Sequence, residues 1–133
     1  MLKLLLVTPD QEEFSQLVQA LAAQGDAEIS WADSGKKALD MVLVSPVDLV
    51  VTDEKLGDMT GLMLAVKLLQ INAMVNCAAV SRLSREAFHE ASEGLGLLAQ
   101  LPQRPGPVHA EEMLNRLREL KNITANVKRF TTI

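Results

Sequence analysis

Residues Val47 to Gly61 (VDLVVTDEKLGDMTG) constrain the chain more than any other stretch. Leu49, Val50 and Val51 leave no position for a solvated face, which suits a parallel strand covered on both sides. The run ends at Thr52-Asp53, so a carboxylate stands where the strand leaves the sheet, the edge at which open α/β sheets bind ligands. Gly61 follows eight residues later and opens an apolar pattern at helical spacing through Leu62, Leu64, Ala65, Leu68 and Leu69. The reading is strand, acidic site, loop, helix. The alternative is an Asp that merely starts a turn.

The flanking sequence repeats this alternation. Leu4 to Val7 reads as a first buried strand, and Thr8-Pro9-Asp10-Gln11 as a helix start, with Thr8 as N-cap, Pro9 at the first helical position and Gln11 completing a capping box. Phe14, Leu17, Val18 and Leu21 form one apolar face, closed at Gly25 by a left-handed cap. Ala27 to Trp31 is a second strand, with Ile29 and Trp31 on one side. Ser34 caps a helix carrying Ala38, Leu39, Val42 and Leu43, ended by Ser45-Pro46. Cys77 to Val80 is a fourth strand ending in Ser81-Arg82, and Ser84 caps a helix through Phe88 and Ala91 to Gly94. Leu95, Leu97, Leu98 and Leu101 supply a fifth strand, and residues 102–107 a loop. The last helix carries Met113, Leu114, Leu117 and Leu120; its apolar pattern fails from Lys121 onward.

Five strands alternating with five helices describe a single doubly wound (βα)5 domain, an α/β fold with a flavodoxin-like parallel sheet of order 2-1-3-4-5. The expected division is a domain over 1-121 and a polar tail, or the start of a linker, over 122-133. That order sets Thr8, Pro9 and Asp10 beside Asp53, with Ser81 and Leu101 close to the same crevice.

Composition bounds the chemistry. With three Phe, one Trp and no Tyr in 133 residues, the core must be aliphatic. A net charge of −4 leaves no electrostatic footprint for nucleic acid or an anionic membrane. No run reaches the length of a membrane span, and the apolar start Met1 to Val7 is too short for a secretory leader, so a cytoplasmic location is expected. The one cysteine, Cys77, reads as a small core residue. His89 and His109 are isolated on helices with no second ligand at metal spacing, which argues against zinc. Asn122-Ile123-Thr124 is a chance glycosylation sequon. A flavin carrier or small enzyme on this sheet is disfavoured: the first crossover offers Pro and acids rather than a Gly/Ser/Thr cradle of backbone donors, and no nucleophile–base pair is visible.

Residues 2 to 121 resemble the receiver domain of bacterial response regulators. The resemblance rests on Asp48 to Asp53 with Gly61 eight residues on, Ser81 after the fourth strand, Glu93-Gly94 at the end of the fourth helix, and Pro102 after the fifth strand. It implies that Asp53 is the phosphoacceptor, served by a histidine kinase and Mg²⁺, and that Ser81 is the hydroxyl that senses the phosphoryl group. The chain departs from the family elsewhere. Thr8 and Pro9 stand where an acidic pair holds the metal, Leu101 where a Lys precedes the Pro, Gly57 where a Pro is usual, and Leu98 where an aromatic residue switches with the hydroxyl. Phosphoryl transfer needs positioned cations, and Mg²⁺ needs oxygen ligands in near-octahedral array. The remaining donors are Asp53, the main-chain carbonyl of Lys55 by analogy, and Asp10 if Pro9 does not hold it in the first helical turn, so at most a weak magnesium site is expected. The losses agree with one another, because removing the acids alone would strand a buried Lys. Arg82, where the family has a small residue, either forks onto Asp53 or points to solvent. Lys55 and Asp58 are expected in a solvated loop. The resulting expectation is an atypical receiver that signals by protein–protein contact with weak or no phosphorylation, the alternative being a fully active one. Its partners would be a histidine kinase or other signalling protein, a second copy through the last helix–strand–helix face, or a fused output domain.

Overall fold

A computed structural model describes the backbone of residues 1–131 and the side chains of residues 1–122. Its sheet holds β1 (Leu2–Val7), β2 (Ala27–Ala32), β3 (Leu49–Thr52), β4 (Asn76–Val80) and β5 (Ala99–Leu101), all parallel in the order β2-β1-β3-β4-β5. The helices are α1 (Ser15–Ala23), α2 (Gly35–Val44), α3 (Gly61–Ile71), α4 (Arg85–Ala91) and α5 (Pro107–Thr131). The expected α/β architecture and strand order hold.

Alternation along the central strands divides the core between the two faces of the sheet. Leu4, Leu6, Leu49 and Val51 point to one side, against Phe14, Leu17 and Leu21 from the α1 segment and Met113, Leu114 and Leu117 of α5. Ile29 and Trp31 lie on this side too, as their spacing predicts. Leu5, Val7 and Val50 point to the other side, against Ala38 and Val42 of α2 and Leu64, Ala65 and Leu68 of α3. Each fully buried Leu or Val contributes about 1.5–3 kcal/mol of transfer free energy, so the strands that carry the crevice are the best-anchored part of the chain. Helix α4 is the exception: Phe88 is the only one of its residues that is buried.

Two local expectations are corrected. Thr8 does not cap a helix. Its N–H still donates to Ala32 O (3.0 Å), continuing the sheet by one residue, and Asp10 takes the cap instead. The Asp10 carboxylate accepts from Glu12 N (3.1 Å) at the start of a 3₁₀ turn, Gln11–Phe14. The fifth strand is shorter than the leucine pattern suggests. Gly94 and Gly96 sit at φ +83° and +63°, so the chain from Leu95 to Leu98 turns before β5 begins at Ala99. Asp58 is exposed in its loop as expected, and it also has a structural role. Its two carboxylate oxygens accept from Gly35 N and Lys36 N (both 3.0 Å), capping α2 from a distance of 23 and 22 residues in sequence. These two amides hold the Asp58 carboxyl below its ordinary range.

The α5 backbone stays helical through Thr131, past Lys121 where the apolar spacing stops. Of the polar tail expected over 122–133, the side chains of residues 123–133 lie outside the described residues. Where α5 passes the base of the sheet, Arg118 Nη2 meets both carboxylate oxygens of Asp26 (2.9 Å each) and Lys121 Nζ meets Asp48 Oδ1 (2.6 Å).

Candidate functional site

The register fixes the crevice. Val7 pairs with Thr52 and Thr52 with Ala79, so Thr8 and Asp53 emerge side by side at the carboxyl ends of β1 and β3, with Ser81 one strand over. Asp53 N donates to Val7 O (2.8 Å), which ties the acidic residue to its neighbouring strand.

Each oxygen of the Asp53 carboxylate accepts one hydrogen bond. Oδ1 accepts from Glu54 N (2.8 Å) and Oδ2 from Thr8 Oγ1 (2.8 Å). Thr8 is only 1% exposed. Its hydroxyl has one hydrogen and two acceptors in reach, Asp53 Oδ2 and Asp10 O (3.0 Å). The ionised and closer oxygen takes it, while the Thr8 oxygen accepts from Asp10 N (3.0 Å). Thr8 therefore spans Asp53 and the turn that follows β1.

Gly61 is required by the same geometry. A Cβ there would run into the Asp53 carbonyl oxygen, with the Thr52 side chain 3.0 Å away. The Gly61 N–H donates to Glu54 O (3.0 Å), and Thr52 Oγ1 donates to Asp53 O (3.0 Å). The close approach of α3 to the acidic residue is why a glycine stands eight residues after it.

The other named residues divide. Ser81 is buried at the mouth of β4, its N–H donating to Leu101 O (3.0 Å) and its Oγ accepting from Leu83 N (3.2 Å). Leu101 is buried in the core shared with α1 and α5, where an ammonium would lack water and partners. Leu98 is half-buried; its N–H donates to Cys77 O (2.7 Å) and its carbonyl accepts from Arg116 (2.8 Å). Pro9, Pro102, Asp10 and Lys55 are exposed, and Lys55 forms a single antiparallel bridge with Thr60. His89 is exposed and His109 half-buried, where its Nδ1 accepts from Gly106 N (2.9 Å). Burial pushes the Cys77 thiol up to about 12, consistent with a core residue.

The fork of Arg82 onto Asp53 is not what the structure contains. The Arg82 N–H donates to Glu54 Oε2 (2.7 Å), and Nε lies 3.8 Å from Glu54 Oε1. Gln103, with its amide oxygen turned toward the guanidinium, accepts from Arg82 Nε at 2.9 Å. The Arg82 side chain is 71% exposed, so it stays at the surface, where water solvates it better than a carboxylate already holding two donors would. Sequence reasoning missed both Glu54 and the Thr8–Asp53 bond. The strand order supplied a signal for the second, since it places the residue after β1 against the residue after β3.

Comparison with known proteins agrees with this geometry. The response regulator receiver domain family matches residues 5–118. A two-component response regulator from Clostridium difficile is 16% identical, with a TM-score of 0.78 over 90% of this chain and 98% of that one. The N-terminal domain of an uncharacterized protein from Wolinella succinogenes is 21% identical, with a TM-score of 0.77 over 93% and 99%. A two-component response regulator from Legionella pneumophila is 16% identical, with a TM-score of 0.74 over 90% and 99%. At these identities the solved structures speak for the fold alone. Curated proteins give no match. The family match over most of the chain, on a five-stranded sheet with an Asp at the carboxyl end of its central strand, shows that the chain belongs to the response regulator receiver domains, the signalling modules of two-component systems.

Proposed function

We propose that this receiver signals through protein–protein contact, with weak or no phosphorylation at Asp53. One observation carries the reading: a buried, neutral hydroxyl, Thr8 Oγ1, occupies Asp53 Oδ2 at 2.8 Å, where receivers place a metal-binding acid.

Receiver domains in general bind Mg²⁺ at the phosphorylation site, and the donor set here does not fit it. Asp53 offers one carboxylate, with one hydrogen bond already on each oxygen, and the exposed Asp10 carboxylate is turned to cap its own turn through Glu12 N. Among the described residues no three acids, histidines or cysteines converge. A cation would have to break the Thr8 bond and still find oxygen ligands beyond one carboxylate. Leu101 supplies no ammonium to balance charge on a transferred group. The roles assigned to Asp53 as phosphoacceptor and Ser81 as switch hydroxyl are thereby weakened, and those of Asp10 and the Lys55 carbonyl as ligands more so.

Contact surfaces remain. A groove of about 750 Å³ runs between α4, β5 and α5, lined by apolar residues such as Phe88 and Leu98 together with the charged Arg85, Glu93, Glu112 and Arg116. This is the face on which a histidine kinase or other signalling protein, or a second copy of the chain, would dock, and α5 is the route to an output domain. The reading of a fully active receiver keeps one supporting observation, the coincidence of Asp53, Gly61 and Ser81 at the expected strand ends.

The test is direct. The protein is incubated with a small acyl phosphate and millimolar Mg²⁺, with Asp53→Asn as control, and the intact mass is followed. Labelling below about one molecule in ten is expected. Near-stoichiometric, base-labile labelling that is absent in Asp53→Asn would make this an ordinary receiver.

A further inference from the structure

The loop between β4 and α4, residues 81–84, is held from three other segments. Glu54, after β3, takes the Arg82 N–H on Oε2 (2.7 Å). Gln100, in β5, donates from Nε2 to Leu83 O (2.8 Å) and approaches Ser81 O (3.4 Å). Gln103, after β5, accepts from Arg82 Nε. Inside the loop the Ser81 hydroxyl is turned onto the Leu83 amide (3.2 Å). Beyond it, Ser84 accepts from Ala87 N (3.1 Å) and starts α4.

These bonds form a continuous chain from the acidic residue to the fourth helix. Asp53 Oδ1 holds the Glu54 amide, the Glu54 carboxylate holds the Arg82 amide, and the loop so held carries the α4 cap. Such a strap has a purpose here because α4 has little else to hold it. Only Phe88 is buried, so the position of the helix depends on its N-terminal tether. Elements with few buried contacts are the ones that open locally at low free-energy cost.

The geometry points to Glu54 as a restraining strap: in the unmodified protein its carboxylate fixes the β4–α4 loop in one arrangement, with the Ser81 hydroxyl facing its own loop. The main bond is Glu54 to the main-chain amide. The Arg82 guanidinium at 3.8 Å and 71% exposure adds little, because exposed pairs contribute at most about 1 kcal/mol. A charge-assisted bond to a backbone N–H at 2.7 Å is the stronger contact. The strap does not depend on the proposed lack of phosphorylation, since it is read on the unmodified protein.

The test is residue-resolved amide hydrogen exchange by NMR on the unmodified chain and three variants. In Glu54→Ala the amide of residue 82 should exchange at least about tenfold faster, and the α4 amides should also accelerate, while β3 amides keep their protection. In Arg82→Ala the amide of residue 82 should stay within about twofold of the parent, because the main-chain donor is retained. Glu54→Gln, which keeps an acceptor, should fall between. Unchanged exchange at residue 82 in Glu54→Ala would overturn the strap. So would a loss in Arg82→Ala as large as in Glu54→Ala, which would assign the restraint to the side-chain pair. If Glu54→Ala does not fold, Glu54→Gln decides alone, and exchange at residue 82 equal to the parent counts against the strap.

Discussion

Replacing Thr8 by Val tests the bond on which the functional reading stands. Val has nearly the same shape as Thr, so the 99%-buried site keeps its packing and loses only the hydroxyl. Two partners lose a bond: Asp53 Oδ2 (2.8 Å) and Asp10 N (3.0 Å). A hydrogen bond to a charged group is worth about 1.5–3 kcal/mol, and stranding a buried carboxylate oxygen would cost the upper end of that. Asp53 is half-buried rather than buried, so water recovers part of the loss, as it does for the exposed Asp10. The extra apolar methyl is a small gain in the other direction. The net expectation is a destabilisation of about 1–2 kcal/mol. With a urea m-value of about 2 kcal/mol/M, that moves the unfolding midpoint down by about 0.5–1 M with m unchanged. Thr8→Ser, which retains the hydroxyl, should lose less than Thr8→Val. In a double-mutant cycle with Asp53→Asn the coupling should be about 1 kcal/mol, because the charge that makes the bond strong is then absent. A midpoint unchanged by Thr8→Val, or zero coupling with Asp53, would mean that the hydroxyl does not hold the carboxylate, and the case against phosphorylation would lose its main support.

Two further outcomes follow from the packing and the charges. Gly61→Ala should destabilise by about 1–3 kcal/mol, because the new methyl meets a main-chain carbonyl that cannot rotate away; an unchanged urea midpoint would show that the approach of α3 to Asp53 is looser than described. At the base of the sheet, burial raises the Asp48 carboxyl, but the Lys121 ammonium and the Lys3 N–H outweigh it and hold the carboxyl below its ordinary value. A depressed carboxyl contributes stability above its unfolded pKa, near 4, and loses it as pH falls through the lower folded value. Lys121→Met should therefore reduce thermal stability at pH 7 and narrow its gap to the parent below pH 4, as melting curves between pH 2.5 and 7 would show; a gap independent of pH would place the effect in packing instead.

The fold was legible because its signals are periodic. Strands without a solvated face, the 3.6-residue spacing of Leu17 to Leu21 and Met113 to Leu120, and the Ser34 and Ser84 caps all act over a few neighbouring residues. The errors fell where a non-local bond competes with a local one. Thr8-Pro9-Asp10-Gln11 satisfies every rule for a helix start, yet the Thr8 N–H is drawn to Ala32 O and its hydroxyl to Asp53, 45 residues away. Asp58 is the exposed loop residue its sequence suggests, but its bonds to the first amides of α2 join residues 22 and 23 apart and leave no local signal. Leu95 and Leu97 fit a strand by composition, but Gly94 and Gly96 turn the backbone first. For Arg82 the sequence offered one carboxylate, Asp53, and the adjacent Glu54 proved the better placed for its amide.

The substitutions around the crevice make physical sense only as a set. A Lys at position 101 would set its ammonium against the apolar core shared with α1 and α5, and burying a poorly paired cation costs several kcal/mol. Leu101 avoids that cost and adds an aliphatic side chain to the core under α1 and α5. An acid at position 8 with no metal would set a second negative charge against Asp53, raising one of the two carboxyl pKa values. Thr8 instead gives Asp53 a donor and gives the Asp10 amide an acceptor from one buried hydroxyl. Among the described residues no buried side-chain polar atom is left without a partner. The crevice is thus satisfied as it stands, which is consistent with the weak phosphorylation proposed above. On the proposed reading, a phosphoryl group taken up on Asp53 Oδ2 would displace the Thr8 bond there and would meet no Lys ammonium from position 101. On the proposed reading, Thr8, Asp53 and the turn at Asp10, bonded to one another, present one fixed surface for a partner to read.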